Sequence, residues 1–354
     1  MDAAKDIKSY GFEELDQILL GWGEKSFRTR QIYEWIHKKL VSDFDEMTNL
    51  SKALRERLKE NFCLGSARML ERQVSEIDGT AKYLWELSDG SAVESVWMKY
   101  QHGNSVCISS QVGCRMGCRF CASTIGGLTR NLLPGEMLDQ VYRIEKISGE
   151  RVSNIVVMGS GEPLDNYDNF VKFVRMVSDE RGLNISQRNI TASTCGLTEQ
   201  MRRLADEDLA ITLAISLHAP NDEVRKTLMP VALRYSIEEI LDACRYYYER
   251  TKRRITFEYS LVRGVNDSER CAAELARRLK GLNCHVNLIP VNPIKERDYR
   301  QSGQADILKF KNLLEKYRIN VTIRREMGAD IDAACGQLRK SYIDRNISER
   351  EENA

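Results

Sequence analysis

The sequence predicts an α/β protein: a parallel sheet with crossover helices, preceded by a helical amino-terminal region and a short β-rich stretch. Three observations carry that expectation. Apolar residues recur at helical spacing through about the first 75 residues. Around Gly65 the texture turns to alternation, with Asp-Gly at Asp78-Gly79 and Asp89-Gly90 between apolar runs, which signals a β-meander. From Ser105 onward, short strand-like runs and amphipathic stretches take strict turns, as parallel strands joined by helices require.

The elements follow in order. Lys8–Gly23, Ser26–Leu40 and Phe44–Phe62 read as helices. The second carries Phe27, Ile32, Tyr33, Trp35, Ile36 and Leu40 at helical spacing, and Asn49 or Ser51 is a candidate N-cap for the third. The meander spans Ala67–Tyr100. Candidate strands are Ser105–Ser110, Asn154–Met158, Asn189–Ser193, Ile211–Ser216, Ile255–Leu261, His285–Val291 and Val321–Arg324. Between them lie helical patterns over Pro134–Ile147, Tyr167–Asp179, Thr198–Glu207, Ile237–Glu249, Glu269–Leu279 and Asp306–Tyr317. In such folds the chemistry sits beyond the carboxyl ends of the strands.

Composition bounds the function classes. The 354 residues are 42% hydrophobic and 30% charged, so the chain is globular rather than disordered throughout. A net charge of +1 excludes a strongly basic arm, so any nucleic-acid site must be a local patch. No apolar run approaches the roughly 18 residues of a membrane span, and the amino terminus lacks the apolar core of a secretory signal. The expectation is a cytoplasmic protein. There its ten cysteines serve as thiols, metal ligands or catalysts rather than structural disulfides.

Cys114-Arg-Met-Gly-Cys118-Arg-Phe-Cys121 places three cysteines in eight residues, directly after the first strand of the alternating region. Thiolates at this density select an iron–sulfur cluster or zinc. Structural zinc takes four ligands in two pairs, and no second pair follows. Three cysteines would leave one iron of a 4Fe–4S cluster open for a substrate or cofactor. Further polar motifs stand at successive strand ends: Gly159-Ser-Gly161-Glu162-Pro163, Ser193, Ser216-Leu217-His218, and Asn292 in the Ile-Pro-Val-Asn-Pro stretch. Glycines admit close backbone approach, and a carboxylate can accept from an ammonium.

The C-x3-C-x2-C spacing resembles the radical S-adenosylmethionine (SAM) superfamily. The stretches CISSQVGCRMGCRFCAS, GSGEPLDN, SLHAP, KTLMPV, GVND, VNLIPVNP and GADIDAACGQL, running from about Asp89 to Leu338, resemble the RlmN/Cfr family of RNA adenine methyltransferases. The resemblance implies an incomplete parallel (β/α)6 barrel. It also implies a helical accessory RNA-binding unit over residues 1–75, a β-rich connector over 76–104, the barrel with a catalytic carboxy-terminal loop over 105–339, and a tail over 340–354. The implied cofactors are one 4Fe–4S cluster, ligated by Cys114, Cys118 and Cys121, and SAM, contacted by Gly161, Glu162, Ser193, Ser216, Leu217, His218 and Asn292. Ser160 stands where the family often has methionine.

The resemblance further implies that Cys335 is methylated by a first SAM, and that its methyl group, activated by the radical from a second SAM, adds to adenine. Glu94 would accept the ring proton. Cys107 would then attack the Cys335 sulfur, forming a transient disulfide and releasing the product. Cys63, Cys195, Cys244, Cys271 and Cys284 match no family ligand and read as structural or incidental thiols.

The implied substrates are 23S rRNA near the peptidyl-transferase centre and tRNA next to the anticodon, methylated at adenine C2. C8 methylation of the same rRNA adenine, as in Cfr, is the alternative; a non-catalytic Fe–S or zinc RNA-binding module is another. Flavodoxin or ferredoxin would supply electrons and a thiol reductant would reset the disulfide, in a monomer away from membranes. Lys25, Arg28, Arg30, Lys38 and Lys39 around Phe27, Tyr33 and Trp35 form a candidate RNA face. A second basic stretch, Arg245–Arg254, reads as the end of a barrel helix.

Overall fold

The computed structural model describes residues 5–65, 67–101, 103–292, 294 and 297–331. The helical unit comprises α1 (Phe12–Gly21), α2 (Ser26–His37) and α3 (Lys52–Asn61), and Ser51 caps α3 by accepting from the Leu54 amide. Leu15, Leu19, Ile32, Tyr33, Ile36, Leu54 and Leu58 form its own apolar core. Two short strands, β1 (Lys5–Asp6) and β2 (Phe62–Cys63), pair in parallel and tie its ends together.

A ten-stranded sheet holds the rest. Strands β3 (Arg68–Val74), β4 (Ala81–Glu86), β5 (Ala92–Tyr100) and β6 (Gly103–Ile108) are antiparallel neighbours. Their first two turns are the Asp-Gly pairs, with Gly79 at φ +72° and Gly90 at φ +80°, left-handed positions where glycine meets no steric cost. The first strand thus begins at Arg68, inside the residues grouped with the helical unit. The meander strands join the main sheet by hydrogen bonds, because β5 and β6 pair from Val96↔Cys107 to Tyr100↔Gly103.

After β6, the short strands β7 (Gln111–Gly113) and β8 (Leu128–Asn131) form a separate hairpin around the cysteine loop. Helix α4 (Pro134–Ser148) then leads to β9 (Asn154–Val157), α5 (Tyr167–Val177) to β10 (Ile190–Thr194), and α6 (Thr198–Ala205) to β11 (Thr212–Ser216). Helices α7 (Asp222–Leu228) and α8 (Ile237–Thr251) precede β12 (Ile255–Leu261), α9 (Glu269–Leu279) precedes β13 (Cys284–Pro290), and α10 (Gln304–Lys316) precedes β14 (Asn320–Ile323). Strand β6 and strands β9 to β14 are all parallel neighbours, giving six strand–helix units and a closing strand.

Period-two alternation gives this sheet two unlike faces. Ile155, Val157, Ile190, Ala192, Leu213, Ile215, Phe257, Tyr259, Val286 and Leu288 pack in the core with residues of the helices. Their neighbours Ser193, Ser216, Glu258, Ser260, Asn287 and Arg324 occupy the other face. Residues at the ends of β9 and of β14 line one cavity, so the sheet curls around it. The edge strands β3 and β14 stand at opposite ends of the order and do not pair, which leaves the barrel open.

The helical unit docks on α4 through polar contacts. Lys8 and Asp139 form a buried ion pair whose side chains are 6% and 5% exposed. Asp139 also accepts from the Ala67 amide at 2.6 Å. His37 Nδ1 meets the Tyr142 hydroxyl at 2.7 Å, and burial pushes this histidine down to about 3, so it is neutral. Removing one partner of a buried pair strands the other charge. Asp139→Ala should therefore destabilise the protein by about 3–5 kcal/mol in urea unfolding; a change below 1 kcal/mol would show that water reaches Lys8 after all.

Candidate active site

The cysteine loop is held from both sides by the β7–β8 hairpin. Gly113 sits at φ +76°, and a Cβ there would lie 2.0 Å from the Gly127 carbonyl oxygen, so only glycine fits. The Cys114 amide donates to that same oxygen at 3.0 Å. The Cys121 amide donates to the Cys118 carbonyl, and the Thr124 hydroxyl donates to both carbonyls. Cys114, Cys118 and Cys121 thereby open onto one cavity of about 210 Å³. Burial pushes the Cys114 thiol up to about 12, so ligation must displace its proton. Among the described residues no three Cys, His, Asp or Glu side chains converge as single-ion ligands do.

Facing them is the turn after β9. Gly161 adopts φ +105°, and a Cβ would come within 2.5 Å of Gln111 Cβ. Gln111 accepts from the Glu162 amide at 2.8 Å and donates to Asn131 and Asp165. The Glu162 carboxylate accepts from the amides of Cys195 (2.7 Å) and Leu164 (3.0 Å). Burial outweighs those bonds and pushes its carboxyl up to about 7.

Ser193, at the end of β10, and Ser216, at the end of β11, touch through their hydroxyls at 3.0 Å. His218 takes φ +55°, and its Nδ1 accepts from the Ser260 amide at 2.9 Å. Burial lowers it to about 3, so the ring is neutral and its proton sits on Nε2. Phe120 packs edge-on against it, with centroids 4.9 Å apart.

Gly161, Glu162, Ser193, Ser216, His218 and Asn292 thus line the same cavity as the three cysteines. Leu217 does not. Alternation turns its side chain to the opposite face, where it is fully buried in the main core.

Cys107 and Glu94 lie outside that lining. Cys107 alternates with the core residues Val106 and Ile108, so it points to the cavity side of β6. It pairs laterally with Val96 and Val156. Glu94 shares that face two residues from Val96, is buried, and stands 3.9 Å from the buried Lys82 ammonium. Cys335 lies outside the described residues.

Sequence reasoning missed several residues of the site. Glu258, Ser260 and Arg324 line the cavity; burial raises the Glu258 carboxyl against the opposing charge of Arg324. Their one signal was placement on the polar side of late strands. Cys195, read as incidental, lines the cavity with its sulfur 3.8 Å from that of Cys118. Behind the cavity, the buried Arg225 guanidinium donates to the carbonyls of Cys195 (2.6 Å), Leu217 and Tyr235 (3.2 Å each) and Ser216 (3.4 Å), pinning the ends of β10 and β11.

The basic face of the helical unit is partly as expected. Phe27 is 52% exposed beside Arg28, and the Lys39 ammonium lies 3.3 Å over the Trp35 ring. Tyr33 is different: it is fully buried in the helical core and cannot stack on a base. In the second stretch, Arg250 pairs with Asp206 and Arg253 donates to the Ile211 carbonyl, so these charges brace α8.

Residues 108–276 match the Radical SAM superfamily, and residues 6–64 match the ribosomal RNA large subunit methyltransferase N-terminal domain. The chain is 68% identical to a probable dual-specificity RNA methyltransferase RlmN of Lachnoclostridium phytofermentans, over 97% of this chain and 96% of that protein. It is 56% identical to the Clostridium novyi protein of the same description, over 97% and 100%. A crystal structure of a radical SAM methyltransferase from Sphaerobacter thermophilus superposes with a TM-score of 0.90 at 43% identity, covering 94% of this chain and 98% of that one.

The Gly161 geometry generates a test. Gly161→Ala combines a left-handed backbone with a steric clash, whereas Gly264→Ala has φ +72° and open space around its Cβ. Unfolding should show Gly264→Ala losing about 1–2 kcal/mol and Gly161→Ala losing more; equal losses would mean that the Gln111 contact yields freely.

Proposed function

The chain belongs to the RlmN family of radical-SAM RNA methyltransferases, and from that premise we propose that it methylates carbon 2 of adenine in 23S rRNA and in tRNA next to the anticodon. One observation carries the reading: Cys114, Cys118 and Cys121 share a cavity with Glu162, Ser193, Ser216, His218 and Asn292 at the carboxyl ends of the parallel strands.

We assign the three cysteines to a 4Fe–4S cluster and the facing polar residues to SAM. When bound there, cluster and SAM would supply the radical chemistry, a 5′-deoxyadenosyl radical. The chain's own residues do the rest. Glu162 accepts from the methionyl ammonium, and the Gly161 backbone leaves room for that approach. Ser193, Ser216 and Asn292 offer polar contacts, and the neutral His218 keeps added positive charge out of the cavity. Cys335 carries the methyl group as a thioether. Glu94, on the same face as Cys107, takes the ring proton from adenine. Once the Cys335 methyl carbon has given a hydrogen atom to the radical and bonded to adenine C2, and the adduct has given up one electron to the oxidised cluster, Cys107 would attack the Cys335 sulfur; the sulfur–carbon bond would break with its electron pair staying on the transferred carbon, which takes a proton to become the methyl group, and a thiol reductant would reopen the disulfide. Lys25, Arg28, Arg30, Lys38, Lys39, Phe27 and Trp35 face the RNA. A low-potential flavodoxin or ferredoxin feeds the cluster, in a cytoplasmic monomer. Among the described residues no helix is long and apolar enough to cross a membrane.

Reconstituted protein, SAM and reductant incubated anaerobically with unmodified large-subunit rRNA should yield 2-methyladenosine by nucleoside mass spectrometry. Formation of 8-methyladenosine instead would move the chain to the Cfr chemistry, and no methylated adenosine despite SAM cleavage would overturn the RNA assignment. Cys107→Ala should trap RNA covalently on Cys335 as a shifted gel band; multiple turnovers by this variant would exclude Cys107 as the resolving thiol.

Glu162 adds a pH dependence. Its carboxyl is raised from 4.5 to about 7, so between those values the folded chain holds a proton that ammonium binding must release. SAM affinity should therefore rise roughly tenfold from pH 6 to pH 8, and calorimetry should show Glu162→Gln losing that dependence. A wild-type profile matching that of the variant would remove Glu162 from ammonium binding.

A further inference from the structure

The segment between β14 and Cys335 does not simply leave the sheet. The Arg324 amide donates to the Leu288 carbonyl at 2.8 Å, the last tie to β13. Gly328 and Asp330 then attach to the β3–β4 turn, at the other end of the strand order. The Gly328 amide donates to Asp78 Oδ2 at 3.0 Å. Asp330 Oδ1 accepts from the Ser75 hydroxyl at 2.6 Å, and its Oδ2 accepts from the Glu76 amide at 2.9 Å. The turn itself is braced: the Ser75 amide donates to the Thr80 carbonyl, and the Ser75 hydroxyl accepts from the amides of Ile77 and Asp78. The chain therefore crosses the open side of the barrel and is fastened to its far edge.

We propose that the Ser75–Thr80 turn is a clasp for the segment ahead of Cys335, and that Asp330 and Asp78 are positioning residues for methyl transfer. The proposal rests on the reading that Cys335 carries the methyl group. Register makes the placement useful. Thr80 is two residues from Lys82, which faces Val96, which faces Cys107. Two strand spacings and two residues along the strand separate the clasp from Cys107 by about 12 Å. Cys335 follows Asp330 by five residues, a reach of about 17 Å at full extension. Without the clasp the nearest tie among the described residues is the Arg324 amide on Leu288, eleven residues back, and the reach grows to about 37 Å. By the three-halves power of the number of residues between tie and thiol, five rather than eleven residues correspond to an about threefold higher local concentration of Cys335 near Cys107.

Both carboxyls suit the task. The Ser75 hydroxyl holds Asp330 below its ordinary value. Burial works to raise Asp78, but the amides of Gly328 and Thr80 prevail and hold it at about 2. Both are therefore ionised acceptors at neutral pH.

The test is the ratio of 5′-deoxyadenosine formed to adenine methylated, measured on the cluster-loaded full chain with rRNA. Counting methyl groups per cleavage cancels any loss of folded protein. Asp330→Ala should raise the ratio about threefold or more, and Asp78→Asn should raise it in the same direction, with iron content retained in both. An unchanged ratio in both variants would overturn the clasp. Cys335→Ala separates the two readings: if it still methylated RNA, the methyl-carrier role would fall and the clasp with it. An inactive Cys335→Ala beside an unchanged ratio in the clasp variants would overturn the clasp alone.

Discussion

The site is organised around the backbone of one residue, Cys195. Its amide donates to the buried carboxylate of Glu162, and its carbonyl accepts from the buried guanidinium of Arg225. Glu162 belongs to the turn after β9, which Gln111 joins to the strand leading into the cysteine loop. Arg225 also holds carbonyls at the end of β11. One residue therefore connects the cysteine loop, the ends of three strands and the short helix α7. The buried polar groups on both sides must stay hydrogen-bonded, so these parts keep their relative positions.

That arrangement has an energetic consequence. A polar cavity inside a curled sheet buries groups that water would stabilise: Glu162 and Glu258 have raised carboxyls, and His218 a lowered imidazole. A charged carboxylate is disfavoured there until a cation arrives. The same burial that disfavours these charges strengthens a charged ligand's contacts there. The opposite face, filled by aliphatic and aromatic residues against the helices, supplies the compensating stability.

The helical unit attaches differently. It owns a separate apolar core and meets the barrel through Lys8–Asp139, His37–Tyr142 and the Gly135 amide on Ser9. Buried polar contacts specify one docking angle more narrowly than apolar contact alone would. Together with the Lys172–Glu14 and Arg181–Glu13 ion pairs and the Lys146–Ser42 bond, they hold the orientation of Phe27, Lys39 and Trp35 relative to the cavity.

Much of this was legible in the sequence. Period-two alternation and the interleaved helical patterns marked every parallel strand of the main sheet to within a residue or two, because burial on one face imposes a repeat that needs no neighbour to be read; the short parallel pair β1–β2 carries too few residues to show one. Cysteine spacing and strand-end glycines, serines and acids marked the site, because loop chemistry is local. Only the tertiary structure decided what lay between distant residues. Tyr33 became core, since three helices closed over it; Leu217 turned away from its neighbours Ser216 and His218, since a strand cannot present consecutive side chains to one face. Cys195 met Cys118, Arg225 found its four carbonyls, and Asp330 reached Ser75 across 255 positions. None of these has a local signal, because a cysteine, an arginine or an aspartate acquires its role from the groups that folding brings against it.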